Sequence, residues 1–123
     1  MMQPKYKNKK VEVKGIKFDS KLESNIYLKI LELAKTYEFS YKLQPKYELM
    51  PKFRLDGECF RAIDYIADFE ICIGGKVYVL DAKGLKTPVF KLKEKLFANK
   101  YNKKIICVTS VKKFLEWFME VRK

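Results

Sequence analysis

The stretch YVLDAKG, residues 78–84, ends an apolar run with Asp81 and Lys83 one residue apart. On a strand, alternate side chains leave by the same face, so the carboxylate and the ammonium stand side by side. Such a pair is an ordinary feature of a solvated strand end. It gains chemical meaning if a second acid joins it, because two clustered carboxylates attract a divalent cation. A cation held there neutralises phosphate and acidifies bound water. The lysine would then position that water or stabilise a pentavalent phosphate.

The residues just before this stretch offer the second acid. RAIDYIADFEICIGGKVYVLDAKG reads as two alternating runs on either side of Gly74-Gly75, a pair suited to a two-residue hairpin turn. That turn pairs Ile73 with Lys76 and, counted back along both runs, Asp68 with Asp81. Directly opposed side chains stand ~5 Å apart at Cβ, and like charges there are destabilising. A bound cation removes the conflict. In the same register Glu70 faces Val79, and Asp64 falls opposite Leu85 beyond the strand end. Ile63, Tyr65, Ala67, Phe69, Ile71 and Ile73 form the other, apolar face. A further acid, Glu23, sits in Ser20-Lys21-Leu22-Glu23, which fits a capping box with Glu23 returning to the Ser20 amide. That role is sufficient for Glu23 by itself.

Several elements must position these groups. VEVKGIKFDS suggests a small hairpin around Lys14-Gly15. SKLESNIYLKILELAKTYE carries Leu22, Ile26, Ile30, Leu33 and Tyr37 at helical spacing. YKLQPKYELMPKF reads as a strand that its prolines bend or confine to an edge. Thr87-Pro88 supplies an N-cap and a first-turn proline for VFKLKEKLFANKY, whose Val89, Leu92, Leu96 and Phe97 are expected to face inward. KIICVTS is a short buried strand, and Ser110 caps the terminal helix VKKFLEWFMEVRK. The order is helix, three strands, helix, strand, helix, an α/β or α+β sandwich. Residues 11–123 are expected to form one domain behind a loosely ordered basic arm at 1–10.

Lys and Arg number 27 against 15 acidic residues, a formal charge of +12, which favours a polyanion as partner. No histidine is present, which removes zinc-finger spacings and the Ser-His-Asp and Cys-His nucleophile schemes. Cys59, Cys72 and Cys107 are widely spaced and odd in number, unlike a disulfide framework. The start lacks an apolar leader region and no run approaches a membrane span, so a reduced, cytoplasmic protein without a membrane partner is expected.

Taken together, Glu23, Asp68 and Asp81-Ala82-Lys83 resemble the PD-(D/E)xK nuclease superfamily, with a Glu in the first helix, an acid on the second core strand and (D/E)-x-K on the third. KYKNKKVEVKGIKFDSKLE, LQPKYEL, YIADFEI, VLDAKG and KLKEKLFANKY, from residue 4 to about 105, look like small phage and prophage nucleases of that superfamily. The proline that names the second motif is Ala67 here. The resemblance implies a restriction-endonuclease-like core, α-β-β-β-α-β, with a mixed sheet flanked by helices. It implies Mg²⁺, with Mn²⁺ able to substitute, held by Asp68, Asp81 and the Ala82 carbonyl, with Glu23 completing or orienting the shell and Lys83 assisting the attacking water. DNA is the implied partner, its phosphates met by Lys5, Lys7, Lys9, Lys10, Lys86, Lys91 and Lys95. No base-reading motif appears, so DNA shape is the expected target: a branched junction or flap cut by a homodimer, in a bacterial host cell if the chain is phage-encoded. The competing readings are a non-catalytic nucleic-acid-binding protein and a small phage assembly or inhibitor protein.

Overall fold

The computed structural model describes residues 10–123, so most of the expected arm, with Lys5, Lys7 and Lys9, lies outside the described residues. The chain divides into two compact units. The first takes the described residues up to Glu38 together with Thr109–Lys123, and the second is Phe39–Val108.

In the first unit, β1 (Val11–Val13) and β2 (Ile16–Phe18) form the expected hairpin, with Val13 opposite Ile16. Lys14 and Gly15 turn the chain with positive φ, a conformation open to glycine at no steric cost. Helix α1 (Lys21–Leu33) starts at Ser20, whose Oγ accepts the Glu23 amide at 3.1 Å. The Glu23 carboxylate accepts the Asp19 amide at 3.2 Å, a bond from the residue just ahead of the cap. Glu23, Ile26, Tyr27, Ile30 and Leu33 are buried on this helix. α1 ends sooner than its apolar spacing suggests, because the Glu32 and Leu33 carbonyls are taken by the amides of Lys35 and Thr36 in tight turns. Tyr37 therefore lies beyond the helix, where its ring meets Phe118 of α3 (Val111–Val121) edge-on at 5.6 Å. Ser110 caps α3 as expected, accepting the Lys113 amide at 3.1 Å.

The second unit holds β3 (Ser40–Leu43), β4 (Lys46–Met50), β5 (Phe53–Leu55), β6 (Glu58–Phe60), β7 (Ile63–Ile66), β8 (Phe69–Ile73), β9 (Lys76–Ala82), α2 (Pro88–Tyr101) and β10 (Ile106–Val108). Its main sheet has the order β10-β9-β8-β3, with β10 parallel to β9 and the other neighbours antiparallel. The protein is thus a mixed α+β chain with a mixed sheet and three helices among the described residues. None of those helices is long and apolar enough to cross a membrane.

The run expected as one strand from Ile63 to Ile73 is broken at Ala67-Asp68. Before the break, β7 pairs with β4; after it, β8 pairs with β9 and β3. The partner run breaks at the matching place, Gln44-Pro45, where Pro45 has no N–H for a ladder and Gln44 takes positive φ. Two backbone bonds hold the corner: the Gln44 amide donates to the Asp68 carbonyl at 2.9 Å, and the Ala67 amide to the Pro45 carbonyl at 3.0 Å. The bend corrects the expected apolar face. Tyr65 and Ala67 pack in one cluster with Val79, whereas Phe69 pairs with Leu80 on the opposite side of the sheet.

Helix α2 opens as expected, with Thr87 Oγ1 accepting the Phe90 amide at 3.1 Å and Pro88 in the first turn. Its inward residues are Phe90 and Phe97, not Val89 and Leu92, which are 62% and 56% exposed. Tyr101 extends this stripe, and Glu94 occupies its middle turn, disguising it in the sequence as a polar position. Leu96 packs at the cluster's edge. Phe97 is fully buried, with rings of Tyr47, Tyr65 and Tyr101 at 5.2, 5.8 and 4.9 Å. Replacing a buried phenylalanine by alanine removes about 3–5 kcal/mol. Phe97→Ala is therefore expected to lower the urea midpoint sharply, while Leu92→Ala changes stability by less than about 0.5 kcal/mol. Equal effects of the two substitutions would contradict this assignment of the α2 face.

Candidate active site

Asp81 lies on β9, an interior strand, and is only 3% exposed. The β8–β9 hairpin has the register expected from Gly74-Gly75: Ile73 faces Lys76, and the last rung pairs Phe69 with Leu80. Asp68 stands one step past that rung, opposite Asp81, at the bend where β7 gives way to β8. Because the chain turns there, the Asp68 carboxylate reaches along β9 and accepts the Ala82 amide at 2.7 Å. Asp68 is therefore fastened to the residue that follows Asp81, and an amide bond to a carboxylate is of the stronger, charge-assisted kind. Asp64, which the unbroken-strand reading sets opposite Leu85, instead leaves with β7, pairs with Glu48 and meets Lys46 at 3.5 Å.

A buried carboxylate is costly unless paired and hydrogen-bonded. Asp81 has two partners. The Tyr65 hydroxyl donates to its Oδ2, and Lys83 Nζ lies 3.7 Å from its Oδ1. Lys83 lies just past the end of β9, two residues on from Asp81, and its amide donates to the Val108 carbonyl at 3.0 Å, fastening the strand end to β10. Its ammonium rests 4.5 Å from the centre of the Phe90 ring, a cation–π contact that fixes the long side chain. Burial, followed by the charge of Asp81, pushes the Tyr65 phenol well above the usual tyrosine range, so it remains a donor. Tyr47 faces Tyr65 across β4 and β7, stacks on it at 6.4 Å and donates to Glu70 at 2.5 Å.

On the other side of β9, Cys107 is the β10 residue paired with Asp81. Burial pushes its thiol up, away from the nucleophilic thiolate. Cys107 also lines a groove of about 700 Å³ together with Lys86, Lys91, Glu94, Lys95 and Lys104. Lys91, Lys95 and Lys104 are exposed there. Lys86 is tied to Glu94 at 3.0 Å, which holds its ammonium above the usual range and occupies part of its charge. In the first unit Lys10 is exposed and meets Asp19 at 3.2 Å.

Among the described residues, no group of three or more His, Cys, Asp or Glu stands close enough to make a protein cage for a metal. Asp68 from the bend before β8 and Asp81 from β9 offer hard oxygen donors, and the Ala82 carbonyl follows Asp81 in the chain. One or two carboxylates completed by water is the donor set that Mg²⁺ accepts, because it dehydrates reluctantly. The residues present fit that ion better than zinc or a soft metal. The second unit thus brings together Asp68, Asp81 and Lys83, and lines one groove with Lys86, Lys91 and Lys95. Glu23 is buried within the first unit. Tyr65 was not singled out by its spacing, although a tyrosine on an apolar strand face needs a partner for its hydroxyl.

No match was found among curated proteins or among solved structures. The model of one family, proteins of unknown function designated DUF1064, matches residues 3–116, and the chain belongs to that family.

Proposed function

We propose that the protein is a Mg²⁺-dependent DNA endonuclease of PD-(D/E)xK type. The observation that carries this reading is that Asp68, in the bend before β8, accepts the Ala82 amide next to the buried Asp81, with Lys83 Nζ 3.7 Å from Asp81 Oδ1. Asp81 is 3% exposed and both Asp68 and Lys83 are half-buried, so three ionisable groups are withdrawn from water at this end of the sheet. Asp68, Asp81 and the Ala82 carbonyl would hold the ion. When bound, the ion supplies charge neutralisation and an acidified water. Lys83 would orient the attacking water in line with the scissile bond and offset charge growing on the phosphate oxygens. The water oxygen would bond to phosphorus as the bond to the 3′ oxygen breaks; the water gives up a proton to solvent, the 3′ oxygen takes one from solvent, and the product keeps a 5′ phosphate. Phe90 keeps the lysine from swinging into solvent. The part given to Glu23 stands on the resemblance alone.

Lys91, Lys95 and Lys104 support phosphate contact along the α2–β10 groove, with Lys86 contributing less because of Glu94. Contacts of this kind carry no sequence information, which favours recognition of DNA shape, in its specific form a branched junction or flap cut by a homodimer. The same lysines support the second reading, a non-catalytic DNA-binding protein. That reading leaves the facing acids unexplained, since they repel phosphate in the absence of a cation.

The test incubates purified protein with plasmid, linear duplex, flap and four-way junction in Mg²⁺, Mn²⁺ or EDTA. Cleavage is expected in either metal and not in EDTA. Asp81→Asn and Lys83→Ala are each expected to reduce the rate at least ~100-fold, the scale of losing one transition-state stabilising group. No cleavage of any substrate in either metal, or wild-type rates in these variants, would contradict the proposal. A second measurement addresses the groove. Lys91→Glu with Lys95→Glu should weaken binding of all DNA forms alike and make the slope of log affinity against log salt shallower by about 2. An unchanged slope would remove these lysines from the interface.

A further inference from the structure

Resting on the metal-site reading above, we infer that Tyr65 is a positioning residue for Asp81 and thereby sets the affinity of the site for its divalent ion. Tyr65 is 3% exposed, and its hydroxyl donates to Asp81 Oδ2. The ring cannot swing away, because it is enclosed by Tyr47, Phe97 and Phe90 at 6.4, 5.8 and 6.2 Å. The donor thus reaches Asp81 from a fixed direction and holds Oδ2, while Oδ1 is directed to the side where Lys83 stands. A ligand whose second oxygen is hydrogen-bonded keeps one orientation, and loss of such a partner typically weakens metal binding 10–100-fold.

The bend at Ala67-Asp68 is what makes this possible. Without it, Tyr65 would lie on the sheet face opposite Asp68, as unbroken alternation requires. With it, one turn of the chain delivers both Asp68, toward Ala82, and the Tyr65 hydroxyl, toward Asp81. Tyr47 provides a matched control. It is the cross-strand partner of Tyr65, belongs to the same aromatic cluster and donates to an acid, but that acid is Glu70.

The experiment measures Mn²⁺ binding to the full chain without DNA, by loss of the free-ion signal in electron paramagnetic resonance. Wild type, Tyr65→Phe, Tyr47→Phe and Asp81→Asn are compared, each with a thermal melt to confirm folding. Tyr65→Phe is expected to bind Mn²⁺ about 10-fold more weakly. Tyr47→Phe should stay within about twofold of wild type, the result for a hydroxyl that supports packing but not the site. Wild-type affinity in Tyr65→Phe, with binding still abolished by Asp81→Asn, would overturn this inference alone. Equal losses in the two tyrosine variants would also overturn it, since the effect would then be one of general stability. If Tyr65→Phe fails to fold, fluorotyrosine placed at position 65 keeps ring and donor: a fluorine resonance that shifts on Mg²⁺ titration supports the inference, and one that stays put while the ion binds overturns it. Wild-type protein that binds no Mn²⁺, or binding that survives Asp81→Asn, would overturn the metal-site reading and this inference with it.

Discussion

Asp81 keeps 3% of its surface in water, on an interior strand with apolar neighbours in sequence, Val79 and Leu80. An ionised carboxylate in that place is tolerated only if its charge is matched by nearby donors and cations. The second unit is arranged around that requirement. Tyr65 brings a hydroxyl from β7, and Lys83 brings an ammonium from the same strand. Phe90, in the first turn of α2, holds the ammonium in place through its ring. Each of these groups comes from a different element, and each element is held by its own packing.

The bend in the β3–β4 and β7–β8 ribbon links the backbone to that chemistry. Pro45 withholds a donor where a ladder bond would otherwise form, and the strand opposite turns at Ala67-Asp68. Ala67 is fully buried at the corner, so a larger residue there would press on the cluster of Tyr65, Val79, Phe90 and Phe97. The turn frees the Asp68 carboxylate from strict cross-strand opposition with Asp81 and lets it bind the Ala82 amide instead. The like-charge conflict implied by simple strand pairing is thereby eased by geometry, while both acids stay on the same end of the sheet.

Much of this was legible in the sequence where local chemistry decides the outcome. Lys14-Gly15 and Gly74-Gly75 prescribe tight turns, and the second of these sets a register that runs to Phe69 and Leu80, one step short of Asp68 and Asp81. Ser20, Thr87 and Ser110 cap their helices as their residue types suggest. What stayed hidden depends on groups distant in the chain. Tyr65 meets Asp81 only because of a bend whose cause, Gln44-Pro45, lies more than one strand away. The buried face of α2 is hidden in the sequence because Glu94 interrupts the stripe of Phe90, Phe97 and Tyr101, while Val89 and Leu92 mimic a core spacing. The hairpin of β5 and β6 does carry a local signal: Asp56-Gly57 is a favoured turn pair, and both residues have positive φ. It presents Phe53 and Phe60 as a stacked, exposed rung 4.9 Å apart.

The central claim is that Asp68 and Asp81 together hold a divalent ion. A crystal grown or soaked in Mn²⁺, with diffraction data collected at the manganese absorption edge, tests it most directly. The account predicts an anomalous peak bound by carboxylate oxygens of both Asp68 and Asp81, at on the order of 2.1–2.2 Å, with water completing an octahedral shell. A map with no peak at these residues, at Mn²⁺ concentrations of several times the measured dissociation constant, or a peak held by other side chains alone, would contradict it.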